Sequence, residues 1–299
     1  MKQEANSLRA VLFALAGNLA IAAIKFIVAA ISGSSAMLAE SIHSLADTTN
    51  QVFLLIGRRR SRRIADEAHP FGYGKEEYFW GFLVAVLLFF MGGCFSIYEG
   101  IHKLAHPEPL DNYIYIFIVL GVSILIELKS FTVALGEFRK TTSARLDKAL
   151  KDSTDTNIFV ILIEDFSALT GLSIVVASTL LSLIDPVFDA IGSLLVGALL
   201  IVMSWFLANE LRKLIIGENI SRGMRSTIRN IVHKHKIVRH INSIRSMYIG
   251  NNNFLLLISV DVEDRVHASS VEEMTGQIKS DITRIYPNAR YIYVEVEED

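Results

Sequence analysis

The sequence predicts an α-helical membrane protein with six transmembrane helices and a C-terminal cytoplasmic α+β domain, and three observations predict it. Of 299 residues 52% are hydrophobic and the mean hydropathy is +0.41, too apolar for a soluble chain of this size. Six apolar runs, each long enough to cross a bilayer, fill the first two thirds. Beyond Leu207 the hydropathy falls and the pattern becomes that of a soluble domain. The predicted division is 1–215 for the membrane domain and 216–299 for the appended one.

The first run, Leu8 to Ile31, lacks a small-residue cleavage motif and reads as a span rather than a removable signal. The next five are Ala36 to Gly57, Tyr78 to Ile101, Tyr113 to Val133, Ile158 to Leu183 and Val187 to Leu207. Base is concentrated in two loops. Arg58, Arg59, Arg60, Arg62 and Arg63 follow the second span, and Arg139, Lys140, Arg145, Lys148 and Lys151 follow the fourth. The opposite loops, "SGSS", "HPEPLDN" and "LIDPVFDA", carry almost none. By the positive-inside rule the N- and C-termini are cytoplasmic, in a multi-pass protein of the cell (inner) membrane.

In the tail, Ser221 precedes the helical stretch "RGMRSTIRNIVHKH". The segments "INSIRSMYIG" and "NFLLLISVDVED" read as strands joined by a turn at Gly250 to Asn253. A helix capped by Ser270, with Glu273 three residues on, leads to the alternating strand "ARYIYVEVEE". The order α-β-β-α-β is ferredoxin-like and leaves a sheet face and an edge open, so a homodimer contact is expected there. The net charge of −2 carries no basic footprint for nucleic acid. Cys94, the only cysteine, sits in an apolar run, which excludes a disulfide framework and a thiolate metal site and leaves it as a small hydrophobe.

Ionisable groups at bilayer depth are costly unless paired or solvated, so each is a functional hypothesis. In "LAESIHSLADTTNQ", His43 and Asp47 stand four apart, with Glu40 three before and Asn50 three after. Such spacing puts the four on one helical face. An imidazole and a carboxylate one turn apart are half of a tetrahedral cation site; the alternative is a polar stripe that joins helices by hydrogen bonds. The fifth span adds Glu164 and Asp165, adjacent and therefore about 100° apart around the helix, so one can ligate while the other pairs elsewhere. Neutral His43 with ionised Asp47 and Asp165 would balance a divalent charge. Asn18, Lys25, Glu99, Glu127 and Lys129 are read as snorkelling or interhelical contacts.

Taken together, "SGSSAMLAESIHSLAD", "DEAHPFGYGKEE", the Asp of "EDFSALTG" and the α-β-β-α-β tail resemble the cation diffusion facilitator family over essentially the whole chain. The resemblance implies a transport site of two residues four apart on the second span, His43 and Asp47, and two on the fifth, of which Asp165 is one. Ile161 stands where many members carry His or Asp, so Glu164, Glu40 or water would have to supply the fourth ligand. It also implies a loop metal station at Asp66 and His69, with Tyr73 where some members carry His; the alternative is a turn shaped around Pro70 and Gly72. Lys75 resembles a family lysine that pairs with an acid after the sixth span, here Glu218. The tail strands lack the histidines of regulatory metal sites, and His233, His235, His240 and His267 read as solvated.

The implied activity is export of a divalent transition-metal ion, zinc preferred and manganese or iron as alternatives, in exchange for protons. The transported ion is substrate; no cofactor is expected. No G-x-x-x-x-G-K-[ST] loop supplies ATP binding and no H-E-x-x-H helix supplies hydrolysis, so an enzyme is not expected. The rival reading is a membrane-anchored metal sensor without flux.

Overall fold

A computed structural model describes residues 2–141, 156–250 and 252–298, and omits the side chains of 2–14, 54, 134, 137–141 and 156–164. Arg139, Lys140, Arg145, Lys148, Lys151, Ile161 and Glu164 therefore fall outside the described side chains. The chain separates into two compact units, Met1–Leu55 with Trp80–Asn209, and Ile56–Phe79 with Glu210–Asp299.

The first unit is a helical bundle. Its helices are α1 (Lys2–Ser32), α2 (Ser35–Ser61), α3 (Glu76–Leu87), a π-helical turn (Leu88–Cys94), α4 (Phe95–Ala105), α5 (Tyr113–Thr141), α6 (Thr156–Ser182) and α7 (Val187–Ile216). Five stretches among the described residues are long and apolar enough to cross a membrane, α3 through α4 counting as one continuous stretch, Glu76–Ala105. With α2, whose polar stripe lowers its hydropathy, they form the six spans of a multi-pass integral membrane protein. Side chains such as Leu125, Ile114, Ile118 and Val202 stay exposed on the bundle, as a lipid-facing surface requires. Inside, Met37, Ile116, Leu120, Leu172 and Leu200 are buried together.

Small residues let the helices approach closely, the packing device of membrane bundles. A Cβ on Gly93, in the π-helical turn, would come within 2.5 Å of Ile201 Cγ1 on α7. One on Gly197 would come within 3.0 Å of the Ile97 amide on α4. The π-helical turn thus runs against α7 with nothing but hydrogen at its closest points.

At one end of the bundle, the connection between α1 and α2 is tied to α4 and α7. Asp189, fully buried in the first turn of α7, accepts from Ser34 Oγ at 2.5 Å and from the Ser35 amide at 2.7 Å. Lys103 Nζ lies 3.0 Å from Asp189 Oδ2 and also donates to the Gly33 carbonyl. Ser34 Oγ in turn accepts from the Met37 amide, so two of the orphan donors at the start of α2 are satisfied by side chains. The loop "LIDPVFDA" therefore does not present Asp189 to solvent; the lysine that neutralises it comes from α4.

The second unit contains α8 (Arg222–His233), β1 (Val238–Gly250), β2 (Asn253–Val262), α9 (Ala268–Ile285) and β3 (Ala289–Val296), the expected α-β-β-α-β order. The sheet runs β1-β2-β3, with β1 and β2 antiparallel (Ile244 opposite Ile258) and β2 and β3 parallel (Ile258 opposite Val294). Alternation along β2 buries Phe254, Leu256, Ile258 and Val260 against Ile228 and Val232 of α8 and Met274, Ile278 and Ile282 of α9. Leu257, on the other face, is exposed.

Ser221 caps α8 as expected, its hydroxyl accepting from the Met224 amide at 3.2 Å. The start of α9 differs. It begins at Ala268 with His267 at the cap and no side-chain capping bond, and Glu273 accepts from Gln277 one turn on. Gly250 (φ +101) and Gly74 meet where the segment Ile56–Phe79 crosses the sheet: a Cβ on Gly74 would stand 2.2 Å from the Ile249 carbonyl oxygen.

Candidate metal centre

Helical periodicity on α2 brings His43 and Asp47 together. His43 is buried, and its Nε2 lies 3.2 Å from Asp47 Oδ2. The geometry makes no hydrogen bond, and Nε2 has no other partner. A buried imidazole nitrogen without a hydrogen-bond partner, beside a carboxylate, is an arrangement that can accept a cation. Both side chains line a cavity of about 40 Å³ with Ala46 and Asn50 of the same helix, Val84 and Leu88, Ser167 of α6, and Met203, Phe206 and Leu207 of α7. Ser167 Oγ is likewise buried without a partner. The cavity has apolar walls and a few convergent polar groups, the usual form of a binding site.

Asp165 stands apart from this pair. It is half-buried on α6, and its Oδ2 accepts from Ser130 Oγ of α5 at 3.2 Å. Among the described residues no group of three or more metal-ligating side chains is assembled. The structure thus gathers His43 and Asp47 and holds Asp165 on the neighbouring helix pair; the Glu164 side chain lies outside the described set.

Of the two readings of Lys25, the interhelical contact is the one the structure shows, and its acidic partner is Glu40. Lys25 does not snorkel. Its Nζ donates to Glu40 Oε1 at 2.9 Å and to Ser44 Oγ at 2.7 Å, and the two charged side chains are 2% and 1% exposed. Glu40 Oε2 remains buried with no partner. A second cavity of about 40 Å³ opens beside this pair, lined by Asn18, Ile21 and Lys25 of α1, Ser44 and Asp47 of α2, and Ser123, Ile126 and Glu127 of α5. Asp47 borders both cavities. Ser123 Oγ, facing the second, is buried and unpaired.

On the loop, Asp66 and His69 are close but exposed, with Nδ1 of His69 3.3 Å from Asp66 Oδ1. The Asp66 carboxylate is already engaged on both oxygens, by the Tyr73 hydroxyl at 2.6 Å and the His69 amide at 2.7 Å. Those bonds, the tyrosine's first, hold its carboxyl below the usual range. The Tyr73 ring also stacks against His69 and lies under the Arg63 guanidinium. Lys75 donates to the Ile215 carbonyl at 3.1 Å, at the C-terminus of α7 where a cation is favoured, rather than to the Glu218 carboxylate. Burial, with the Glu210 charge adding, raises the Glu218 pKa. In the second unit His235 is not solvated as expected: it is largely buried, 4.0 Å from Asp281 of α9.

The Lys103–Asp189 pair, and the choice of Glu40 as the partner of Lys25, had no local signal in the sequence, because the partners are brought together only by helix packing. A buried lysine in a span is the one feature that could have pointed to them.

Residues 11–216 match the cation efflux transmembrane domain family. Over 256 residues, 83% of this chain, the sequence is 31% identical to the mitochondrial proton-coupled zinc antiporter SLC30A9 of Mus musculus, covering 45% of that protein. Over 280 residues, 92% of this chain, it is 31% identical to metal tolerance protein C4 of Arabidopsis thaliana, covering 61% of it. The chain spans about half the length of the curated relatives it matches. A solved structure of the MamM C-terminal domain in a cadmium form is 13% identical, covers 26% of this chain and 96% of that chain, and gives a TM-score of 0.24.

Proposed function

This chain belongs to the cation diffusion facilitator family, matching its cation efflux domain, and from that premise we propose that it exports a divalent transition-metal ion, zinc first, in exchange for protons. The observation that carries the reading is the buried His43–Asp47 pair on a membrane-spanning helix, lining a cavity and with no hydrogen-bond partner on the imidazole Nε2. Imidazole with carboxylate suits zinc, and the same set serves manganese and iron. Asp165 completes the site when α6 presents it toward α2, and Glu164 or water supplies the remaining position. His43 exchanges the metal for a proton. Asp66 and His69 form an accessory station on the loop, reached only by displacing the Tyr73 hydroxyl. The relatives' printed names, a proton-coupled zinc antiporter and a metal tolerance protein, support the same substrate class.

On this reading residues 1–215 are the transport domain and 216–299 an appended cytoplasmic domain, whose open sheet face joins two copies as a homodimer. The N- and C-termini are cytoplasmic and the membrane is the cell (inner) membrane, consistent with the arginines in the last turn of α2. The chain is a transporter rather than an enzyme.

The test is metal uptake by proteoliposomes carrying a pH gradient, with zinc, manganese, iron and cobalt, wild type beside Asp47→Ala and Asp165→Ala. Gradient-dependent zinc flux, lost by at least about tenfold in each variant as expected for removal of a metal-site group, supports the reading. Folded protein that binds zinc without moving it leaves the sensor.

A further inference from the structure

We infer that Lys25 decides the ligand set of the metal site, by holding the Glu40 carboxylate out of it and thereby setting both affinity and metal preference. The inference rests on the reading of His43 and Asp47 as metal ligands. Glu40 stands three residues before His43 and seven before Asp47, on the face of α2 that carries both. By spacing alone it is as well placed to join them as any group on the helix. Its Oε1 instead receives the Lys25 ammonium at 2.9 Å, and Ser44 fixes that ammonium from the next turn at 2.7 Å.

Two features make Glu40 a ligand in waiting rather than a settled structural partner. Oε2 is buried without a hydrogen-bond donor, an unusual state for a carboxylate oxygen shut away from water. It also faces Gly171 of α6, where a Cβ would come within 3.1 Å, so the helix that carries Asp165 leaves room for it. Charge decides which role it takes. Asp47 and Asp165 together balance a divalent ion; an ionised Glu40 would add a third negative charge. Affinity rises with ligand charge, and an ion bound too tightly does not leave. Lys25 neutralises that third charge in place. It borders the same cavity as Asp47 and Glu127, so its field reaches the rest of the site as well.

A merely structural ion pair predicts something different. Breaking it would lower stability and leave the metal affinity of the folded fraction alone. Freeing a ligand raises affinity, which damage to the fold does not do. The added carboxylate should also favour manganese relative to zinc, because oxygen ligands suit the harder ion.

The experiment is calorimetric titration of the purified full chain in nanodiscs with zinc and with manganese, for wild type, Lys25→Met, Lys25→Arg and the double variant Lys25→Met with Glu40→Gln. Lys25→Met is expected to bind zinc about tenfold tighter, with manganese gaining more, and to transport more slowly. Lys25→Arg should stay close to wild type, and the double variant should return to it. Unchanged affinity in folded Lys25→Met, or a double variant that binds like Lys25→Met, overturns the inference. Should Lys25→Met fail to fold in the absence of metal, recovery of folded protein with zinc present supports the inference and no recovery counts against it. Wild type that binds no divalent ion removes the metal centre and this role together, whereas binding by wild type with no change in Lys25→Met removes the role of Lys25 alone.

Discussion

At the residue scale, the consequential groups are ionised side chains held where water does not reach. Asp189 is fully buried, yet it is satisfied by two serines and a lysine, so its charge is stabilised rather than stranded. Removing one member of such a set leaves the other uncompensated, a change that typically costs about 3–5 kcal/mol. We therefore expect Asp189→Ala to lower the thermal midpoint of the detergent-solubilised chain substantially, and Asp189→Ala with Lys103→Met to recover most of the loss. A single variant that melts like wild type would contradict the assignment. His43 and Asp47 were legible in the sequence because four residues along a helix is one turn, and no long-range information is needed to place them together. Asp189 and Lys103 were not, since the pair spans 86 positions and depends on how α4 meets α7. Asp165 was legible as a buried acid, but its engagement with Ser130 was not, because nothing in the order of residues says which neighbour α6 turns toward.

At the scale of elements, length and apolar content were enough to find the spans, and period-two alternation was enough to find β2. The π-helical turn Leu88–Cys94 was not legible: its sequence, rich in large apolar residues with two glycines, reads as ordinary helix until the close approach of α7 is seen. The start of α9 misled for a related reason. Ser270 and Glu273 match a capping signature, but Glu273 is used by Gln277 and the helix begins two residues before Ser270, at Ala268. The turn from Asp66 to Tyr73 is an element in its own right, organised by one carboxylate. Because the folded pKa of Asp66 is lowered, its contribution to the turn is present above the unfolded value of about 3.9 and is lost as pH falls through the folded value. Tyr73→Phe removes the largest cause of that shift. The Asp66 carboxyl should then titrate closer to the ordinary aspartate value in carbon-detected NMR of selectively labelled protein; an unmoved titration would show that the tyrosine does not hold it.

At the scale of the whole molecule, a bundle of spans carries a buried cation-competent pair and a separate α+β unit carries an open sheet. On the proposed reading the bundle binds an ion between its helices, and the Glu40 carboxylate held by Lys25 bears on how tightly. Composition announced the membrane, and the α-β-β-α-β order of the tail announced the second unit. What remained hidden was the inventory of internal counter-charges, Lys25 with Glu40 and Lys103 with Asp189, which only packing reveals. Antiport requires that the same site hold metal in one orientation and protons in the other, so the proposed exchange predicts that zinc movement carries protons the opposite way.

The most direct measurement is simultaneous recording of zinc and lumenal pH in proteoliposomes given an outward or inward zinc gradient and no initial pH difference. The account predicts proton movement opposite to zinc, beginning with it, and both abolished in Asp47→Ala. Zinc that crosses with no accompanying pH change in wild type would contradict the exchange mechanism.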